Sequence, residues 1–246
     1  MSSTSVGAKG GKPAPPAPDP ECQELKRANE AARTKAIKEI EKAPGKNAAL
    51  TQALKKAQEG GMTFSSAKVS INTGNGRSIR RTLTASSSGK AAEKHGGLAG
   101  NAESQAGMRA GNEAVMCEPP KYKHESSNGY GSHAEAKIAN EITELAKSRG
   151  GIAKGGKVLL NIDWRYDLKS TESTHQSGMP CRHCFKLLCH AASKCDIEVM
   201  ICDKSGQPQP LKDFCKRPKT SYRKFDKKID KWSKEADFKL GQRVRG

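Results

Sequence analysis

The sequence predicts a three-layer α/β fold, in which helices flank a central sheet. The first observation is that segments with helical and strand periodicity alternate through the second half of the chain. The second is composition, because 34% of the residues are hydrophobic and 4% aromatic, against 24 glycines and 12 prolines. Part of the 246-residue chain therefore lies outside any buried core, and an ordinary domain with appended segments is expected.

The first sixty residues predict a linker followed by two helices. Residues 1–20 are rich in proline, glycine, serine and lysine, a composition typical of a flexible linker. Residues 21–43 are helix formers with a thin apolar stripe, and the Pro-Gly pair at 44–45 ends that helix. A second short helix is predicted over 48–59. The N-terminal helices are therefore assigned to residues 21–61.

The remaining residues, 62–246, are assigned to one domain that begins with a hairpin. Two strand-like runs, 68–73 and 78–84, are separated by Gly-Asn-Gly, which is a strong hairpin signal. Residues 85–130 then form a long stretch of alanine, glycine, serine and asparagine without periodicity. Such a stretch predicts a functional or mobile loop.

Helices and strands alternate after this stretch. Ala134, Ile138, Ile142 and Leu145 form the apolar stripe of a helix. A buried strand over 158–164, a helix over 184–194 and a strand over 197–202 follow.

The C-terminal segment is strongly basic. Residues 216–246 hold 12 Lys or Arg and 4 Asp or Glu, which is +8 of the formal net charge of +18. Aromatic residues recur at helical spacing between 222 and 232, so a basic amphipathic helix is predicted, with a last strand over 238–244. An excess of positive charge attracts polyanions, so nucleic acid is the expected partner, although a solvated basic surface remains an alternative.

No segment predicts contact with a membrane or a secretion signal. No apolar run approaches the roughly 20 residues that a membrane-spanning helix requires. The first 20 residues lack the apolar stretch of a cleavable signal peptide.

The cysteines are unevenly distributed. Five of the eight fall between positions 181 and 202. This clustering favours metal chemistry in a reducing compartment over a disulfide framework, and leaves room for one or two disulfides. On its predicted helix, Cys189 is expected to pack as a small apolar residue.

Two short motifs carry the chemistry, and each occurs once, at the start of a predicted helix. They are His133-Ala134-Glu135 and Pro180-Cys181-Arg182-His183-Cys184. Catalytic zinc usually has three protein ligands and an open fourth position, a count that His133, Cys181 and Cys184 meet. Bound zinc lowers the pKa of water from about 15.7 to about 7. Glu135, two residues after the histidine, is placed to take that proton and deliver it to a leaving amine.

This pair of motifs resembles the signature of the cytidine-deaminase-like zinc deaminase superfamily. The resemblance spans roughly residues 65–214 and is strongest to the deaminase domains of bacterial polymorphic toxins. It implies a mixed sheet of about five strands flanked by helices, and conversion of cytosine to uracil. It also implies a toxin delivered by a secretion system into a target-cell cytoplasm and neutralised by an immunity protein, with an ordinary cytoplasmic role as the alternative. Forty-seven residues, 134–180, separate His133 from Cys181, which is more than in the compact enzymes that act on free nucleosides.

The expected substrate is cytosine in nucleic acid, with single-stranded DNA favoured over RNA. Trp164 and Tyr166 end the central predicted strand, where they either stack on a base or complete the core edge. Asn128 precedes the first motif, where an asparagine of the relatives binds substrate.

Several alternatives stay open on the sequence alone. The motifs also suit a free nucleoside or nucleotide, or adenine in RNA. A non-enzymatic alternative is a closed, nucleic-acid-binding zinc knuckle made of four cysteines, Cys181, Cys184, Cys189 and Cys195. His183 and His190 are expected to lie beside the site or at the surface.

Overall fold

Helices lie on both faces of a six-stranded sheet in the computed structural model of the chain. The structure describes residues 16–45, 47–59, 62–87, 117, 133–167, 174–177, 180, 182–203, 205–212 and 215. Most of the predicted loop over 85–130, and the predicted helix and strand after 216, lie outside these residues. The predicted three-layer α/β fold is confirmed.

Ten elements are formed by the described residues. The helices are α1 (Pro20–Lys42), α2 (Ala48–Gln58), α3 (Ala134–Ser148) and α4 (Arg182–Lys194). The strands are β1 (Phe64–Thr73), β2 (Ser78–Ser86), β3 (Ala153–Asp167), β4 (Thr174–Ser177), β5 (Glu198–Cys202) and β6 (Pro208–Pro210). No helix in this part of the chain has both the length and the apolar composition needed to span a bilayer.

The sheet is mixed, as predicted. Its order is β2-β1-β3-β5-β6, and β4 pairs with β3 off this path. The hairpin strands and β1–β3 are antiparallel, whereas β3 and β5 are parallel. A parallel pair requires a crossover connection, and α4 lies in the connection from β3 to β5.

The central strand β3 is buried on both faces, which explains its almost continuous apolar sequence. Leu160, Ile162 and Trp164 belong to the main hydrophobic cluster, which also contains residues of α3 and α4. The alternate residues contact α1, since Leu159 packs in a cluster with Leu25 of that helix.

Local capping fixes both N-terminal helices. The side chain of Asp19 accepts a hydrogen bond from the backbone N–H of Cys22, and Asn47 does the same for Leu50. The first helix ends at Lys42, directly before the Ala-Pro-Gly sequence at 43–45, as the sequence predicts. Both predicted helices are therefore confirmed within one residue at each end.

A buried polar layer joins α1 to the sheet. Arg33, 5% exposed, pairs with the fully buried carboxylate of Asp163 at 3.1 Å. Its guanidinium also donates to the carbonyls of Ala57, Met62 and Asp163, and lies 4.5 Å from the ring centroid of Phe64. The helix is thus held by a charge pair as well as by its thin apolar stripe.

Three disulfides connect six of the eight cysteines. The pairs are Cys22–Cys202, Cys117–Cys195 and Cys189–Cys215. The prediction that the cysteine cluster marks metal chemistry rather than a disulfide framework is therefore wrong for three of its five residues, Cys189, Cys195 and Cys202. Cys189 packs in the main hydrophobic cluster as predicted, and its sulfur is in addition bonded to that of Cys215.

Candidate metal centre

The first part of the site lies at the N-terminus of α3. His133 is the N-cap residue, with extended backbone angles, and its side chain makes no capping hydrogen bond. Its ring Nδ1 instead lies 3.4 Å from Sγ of Cys184, which is 51 positions further along the chain. Glu135 follows in the first helical turn and is 3% exposed.

The second part lies in the first turn of α4. Cys184 is fully buried and forms no disulfide within the described part of the chain. Partial positive charge at a helix N-terminus favours the thiolate over the thiol. The remaining predicted ligand, Cys181, lies outside the described residues.

The packing of α3 against the hairpin determines where its N-terminus lies. At the other end of the helix, Asn75 donates to the carbonyl of Arg149, and the N–H of Gly74 donates to that of Ile152. The C-terminus of α3 is therefore anchored at the β1–β2 turn. α3 also contacts β1 and β2, so the hairpin supports the helix that carries Glu135.

These two helix N-termini form a group of potential metal ligands. The ligand atoms of His133, Glu135 and Cys184 all lie within 4.8 Å of one another. Imidazole nitrogen, thiolate sulfur and carboxylate oxygen are the donors that zinc accepts in proteins, so the donor set fits a zinc ion. The group can hold a metal ion, and the predicted residues His133, Glu135 and Cys184 are brought together as expected.

Of the three predicted substrate residues, the structure describes Trp164 and the backbone of Tyr166. Trp164 is 8% exposed and packs in the main hydrophobic cluster. The backbone of Tyr166 pairs with His175 on β4. Asn128 lies outside the described residues, and substrate contact by any of the three stays a prediction.

The alternative of a closed four-cysteine site is wrong. Two of its four sulfurs are committed to disulfides, Cys189 with Cys215 and Cys195 with Cys117. A sulfur in a disulfide is not a thiolate, and the thiolate is the form that binds metal. The predicted continuous helix over this segment is confirmed by α4.

Other ionisable side chains are buried nearby without having been singled out by the sequence. Lys137 is fully buried on α3 and Glu141, one turn later, is 5% exposed. Lysine and glutamate at this spacing usually lie on a solvated face, so the pattern carries no signal of burial. On α4, burial lowers the pKa of the half-buried His190, and the positive charge of Lys194 lowers it further. His190 is not part of the ligand group.

In comparisons with known proteins, no protein-family model, no curated protein and no solved structure matches this chain. The two motifs and the geometry of the ligand group are therefore the features of this chain that indicate a function.

Proposed function

We propose that the protein is a zinc-dependent hydrolytic deaminase of the cytidine-deaminase type, which converts cytosine to uracil in nucleic acid. The observation that carries this proposal is the meeting of His133, Glu135 and Cys184 within 4.8 Å. Either motif alone occurs in many proteins without a site. Their joint occurrence at two helix N-termini, with ligand atoms within 4.8 Å of one another, supports this reaction.

In this proposal His133, Cys184 and Cys181 hold the zinc ion, and Glu135 is kept for proton transfer. One nitrogen and two sulfur ligands leave a fourth tetrahedral position open. Cys181 precedes Cys184 by three residues, a spacing at which both sulfurs can face one ion at a helix N-terminus. Cys181 and Cys184 are also the two of the eight cysteines that the three disulfides do not use.

When bound, zinc supplies an activated water for attack on C4 of cytosine. Glu135 accepts the proton of that water and delivers it to ring N3. It then moves a second proton to the exocyclic amine, which leaves as ammonia, so cytosine and water become uracil and ammonia. Burial of Glu135 excludes bulk water from these transfers.

Single-stranded DNA is the favoured substrate. The attacked carbon is unreachable inside a stacked duplex, so the base must be unpaired or flipped. The net charge of +18 suits a polyanionic substrate, whereas a free nucleoside would leave it without a function. Binding to a polymer predicts a steep fall of affinity with salt, and action on a free nucleoside or nucleotide predicts little salt dependence.

The test is base conversion and ammonia release on single-stranded DNA, duplex DNA, RNA and free cytidine. We expect uracil in single-stranded DNA from the wild type. Glu135→Ala should lower the rate by about 100- to 10,000-fold at unchanged zinc content. Glu144→Ala is the matched control, since this residue lies on the same helix and is ion-paired to Lys147 at 3.1 Å. Inosine in RNA would move the substrate to adenine, and no product from any polymer or base would overturn the proposal.

We further propose the role of a bacterial toxin effector, delivered by a secretion system into a target cell and restrained by an immunity protein. This role rests on the resemblance of the motifs and on the basic, linker-bearing organisation of the chain. Active enzyme should arrest bacterial growth unless a specific inhibitor protein is co-expressed. Harmless high-level expression of active enzyme alone would contradict the toxin role and leave the reaction untouched.

A further inference from the structure

The three disulfides share one feature, which is that each has one cysteine within the short stretch 189–202. Their other cysteines come from three distant parts of the chain, with sequence separations of 180, 78 and 26 residues. Cys22 lies in the first turn of α1, Cys117 lies 17 positions before the start of α3, and Cys215 follows β6. The α4–β5 unit is therefore the point to which three remote segments are covalently attached.

Five of the six disulfide cysteines are buried, and the sixth, Cys215, is partly buried. Cys22, Cys195 and Cys202 are each 1% exposed. Cys117 is 4% and Cys189 is 6% exposed. Exchange with an external thiol requires the attacking thiolate to reach a sulfur atom, so burial slows the reduction of the folded protein.

The same unit begins with the proposed zinc cysteines, which need the opposite redox state. Cys184 is buried beside His133 and takes no part in the three disulfides, and a metal ligand must be a thiolate. A disulfide framework and a thiolate pair in one helix are compatible only if something protects the pair during oxidation. Coordination to a metal does so, because a coordinated thiolate has its lone pair engaged and is held away from exchange partners.

We propose that the protein completes its fold under oxidising conditions, with three disulfides formed and a bound metal holding Cys181 and Cys184 as thiolates. Each disulfide forms by exchange with a small disulfide such as oxidised glutathione. That oxidant takes up two electrons and two protons, leaves as two thiols, and links the two cysteine sulfurs. The fold is thus finished after the chain has left the reducing cytosol, and burial of the Cys22–Cys202 and Cys117–Cys195 bonds preserves it on return to reducing surroundings.

The contribution of the three bonds to stability should be unequal. A crosslink restricts the unfolded chain more when it closes a longer loop, which ranks Cys22–Cys202 above Cys117–Cys195 and Cys189–Cys215. α1 also has a non-covalent anchor in the Arg33–Asp163 pair. Loss of the first bond should therefore lower the melting temperature without releasing the helix from the sheet.

The direct test is cysteine counting by mass spectrometry on the full chain loaded with zinc. Alkylation with iodoacetamide in denaturant and chelator, without reductant, should label two cysteines, Cys181 and Cys184. Prior treatment with a phosphine reductant should raise the number to the full eight. Labelling of all eight without reductant, in protein that has the full melting temperature, would overturn the proposal.

The second test separates the disulfides from the metal. Reduced protein that keeps its zinc should melt at least about 10 °C below the oxidised protein. Cys22→Ala with Cys202→Ala should show part of this shift, and Ser193→Ala, an exposed residue of α4, should show none. An unchanged melting temperature after complete reduction would contradict the proposal, and neither readout depends on deaminase activity.

Discussion

The two faces of the sheet each bury a group of ionisable side chains, and the two groups differ in how their charge is balanced. Beneath α1, the guanidinium of Arg33 meets the carboxylate of Asp163 and three backbone carbonyls. At the N-termini of α3 and α4, three electron-pair donors, His133, Glu135 and Cys184, converge instead. A cation from the chain completes the first group, and we propose that a metal cation completes the second.

This comparison explains why burial alone is a poor guide to function. Asp163 is fully buried yet serves the fold, because its charge is neutralised by the side chain of Arg33. Donors gathered around a shared point are instead suited to an exchangeable cation. Mutations in the first group should therefore change stability, and mutations in the second should change metal content and rate.

The largest expected effect is on the ligand group. Cys184→Ala removes one of the proposed zinc ligands, and we expect zinc affinity to fall by more than about 100-fold, since even groups behind the ligands contribute about 10- to 100-fold. Metal analysis by mass spectrometry after competition with a chelator measures it. Ser193→Ala on the same helix is the control. An unchanged zinc affinity in Cys184→Ala would contradict the proposal that a metal cation completes the group of His133, Glu135 and Cys184.

The next effect concerns the structural pair. Arg33→Met leaves the buried carboxylate of Asp163 without its cation, and we expect a loss of about 3–5 kcal/mol in the free energy of unfolding. Combining it with Asp163→Leu should recover part of this loss, because the double variant no longer buries an unbalanced carboxylate. The recovery should be incomplete, because the carbonyls of Ala57 and Met62 still lack the hydrogen bonds from Arg33. Denaturant titration without reductant gives these values.

Zinc content should be unchanged in Arg33→Met and in the double variant, and a loss of zinc would show that the two buried groups are coupled.

Lys68→Met is the surface control for Arg33→Met. This lysine forms ion pairs with Glu21 and Glu24 that raise its pKa, but the side chain is exposed. Its removal should change stability far less than Arg33→Met. An equal loss in the two variants would contradict the importance given to burial.

The secondary structure near the site was predictable because its signals are local. The apolar stripe of α3, the hairpin turn and the helix after the Pro-Cys motif each depend on residues a few positions apart, and all three are confirmed. The ligand motifs are also local, so His133, Glu135 and Cys184 could be predicted as site residues from the sequence. Strands β4 and β6, of four and three residues, are too short for a periodic pattern and were missed.

Long-range pairings could not be predicted from the same sequence. Arg33 and Asp163 are 130 positions apart, and nothing in either local sequence indicates that the two side chains pair. Eight cysteines allow 105 complete pairings, and clustering along the chain says nothing about which sulfurs meet in space. The cysteine cluster holds both a proposed metal ligand and disulfide partners, so the assumption of one chemistry for all of it failed.

The smallest expected effect is a pH dependence from His190. Because burial lowers its pKa from 6.5 in the folded state, the unfolded chain binds the proton more readily. Stability should therefore fall as the pH drops below about 6.5 toward the lowered pKa, and should be insensitive to this group above that range. His190→Gln should flatten the melting temperature between pH 7 and about pH 5.5, compared with the wild type. An unchanged slope would show that His190 is as accessible in the fold as in the unfolded chain.

The central claim is that the N-termini of α3 and α4 hold one zinc ion, and X-ray absorption at the zinc edge tests it most directly. The account predicts one zinc per chain, with two sulfurs at about 2.3 Å and nitrogen or oxygen ligands at about 2.0–2.1 Å. One sulfur should disappear from the spectrum, or the zinc be lost, in Cys184→Ala. A shell of four sulfurs, or a sulfur-free shell in the wild type, would contradict the account.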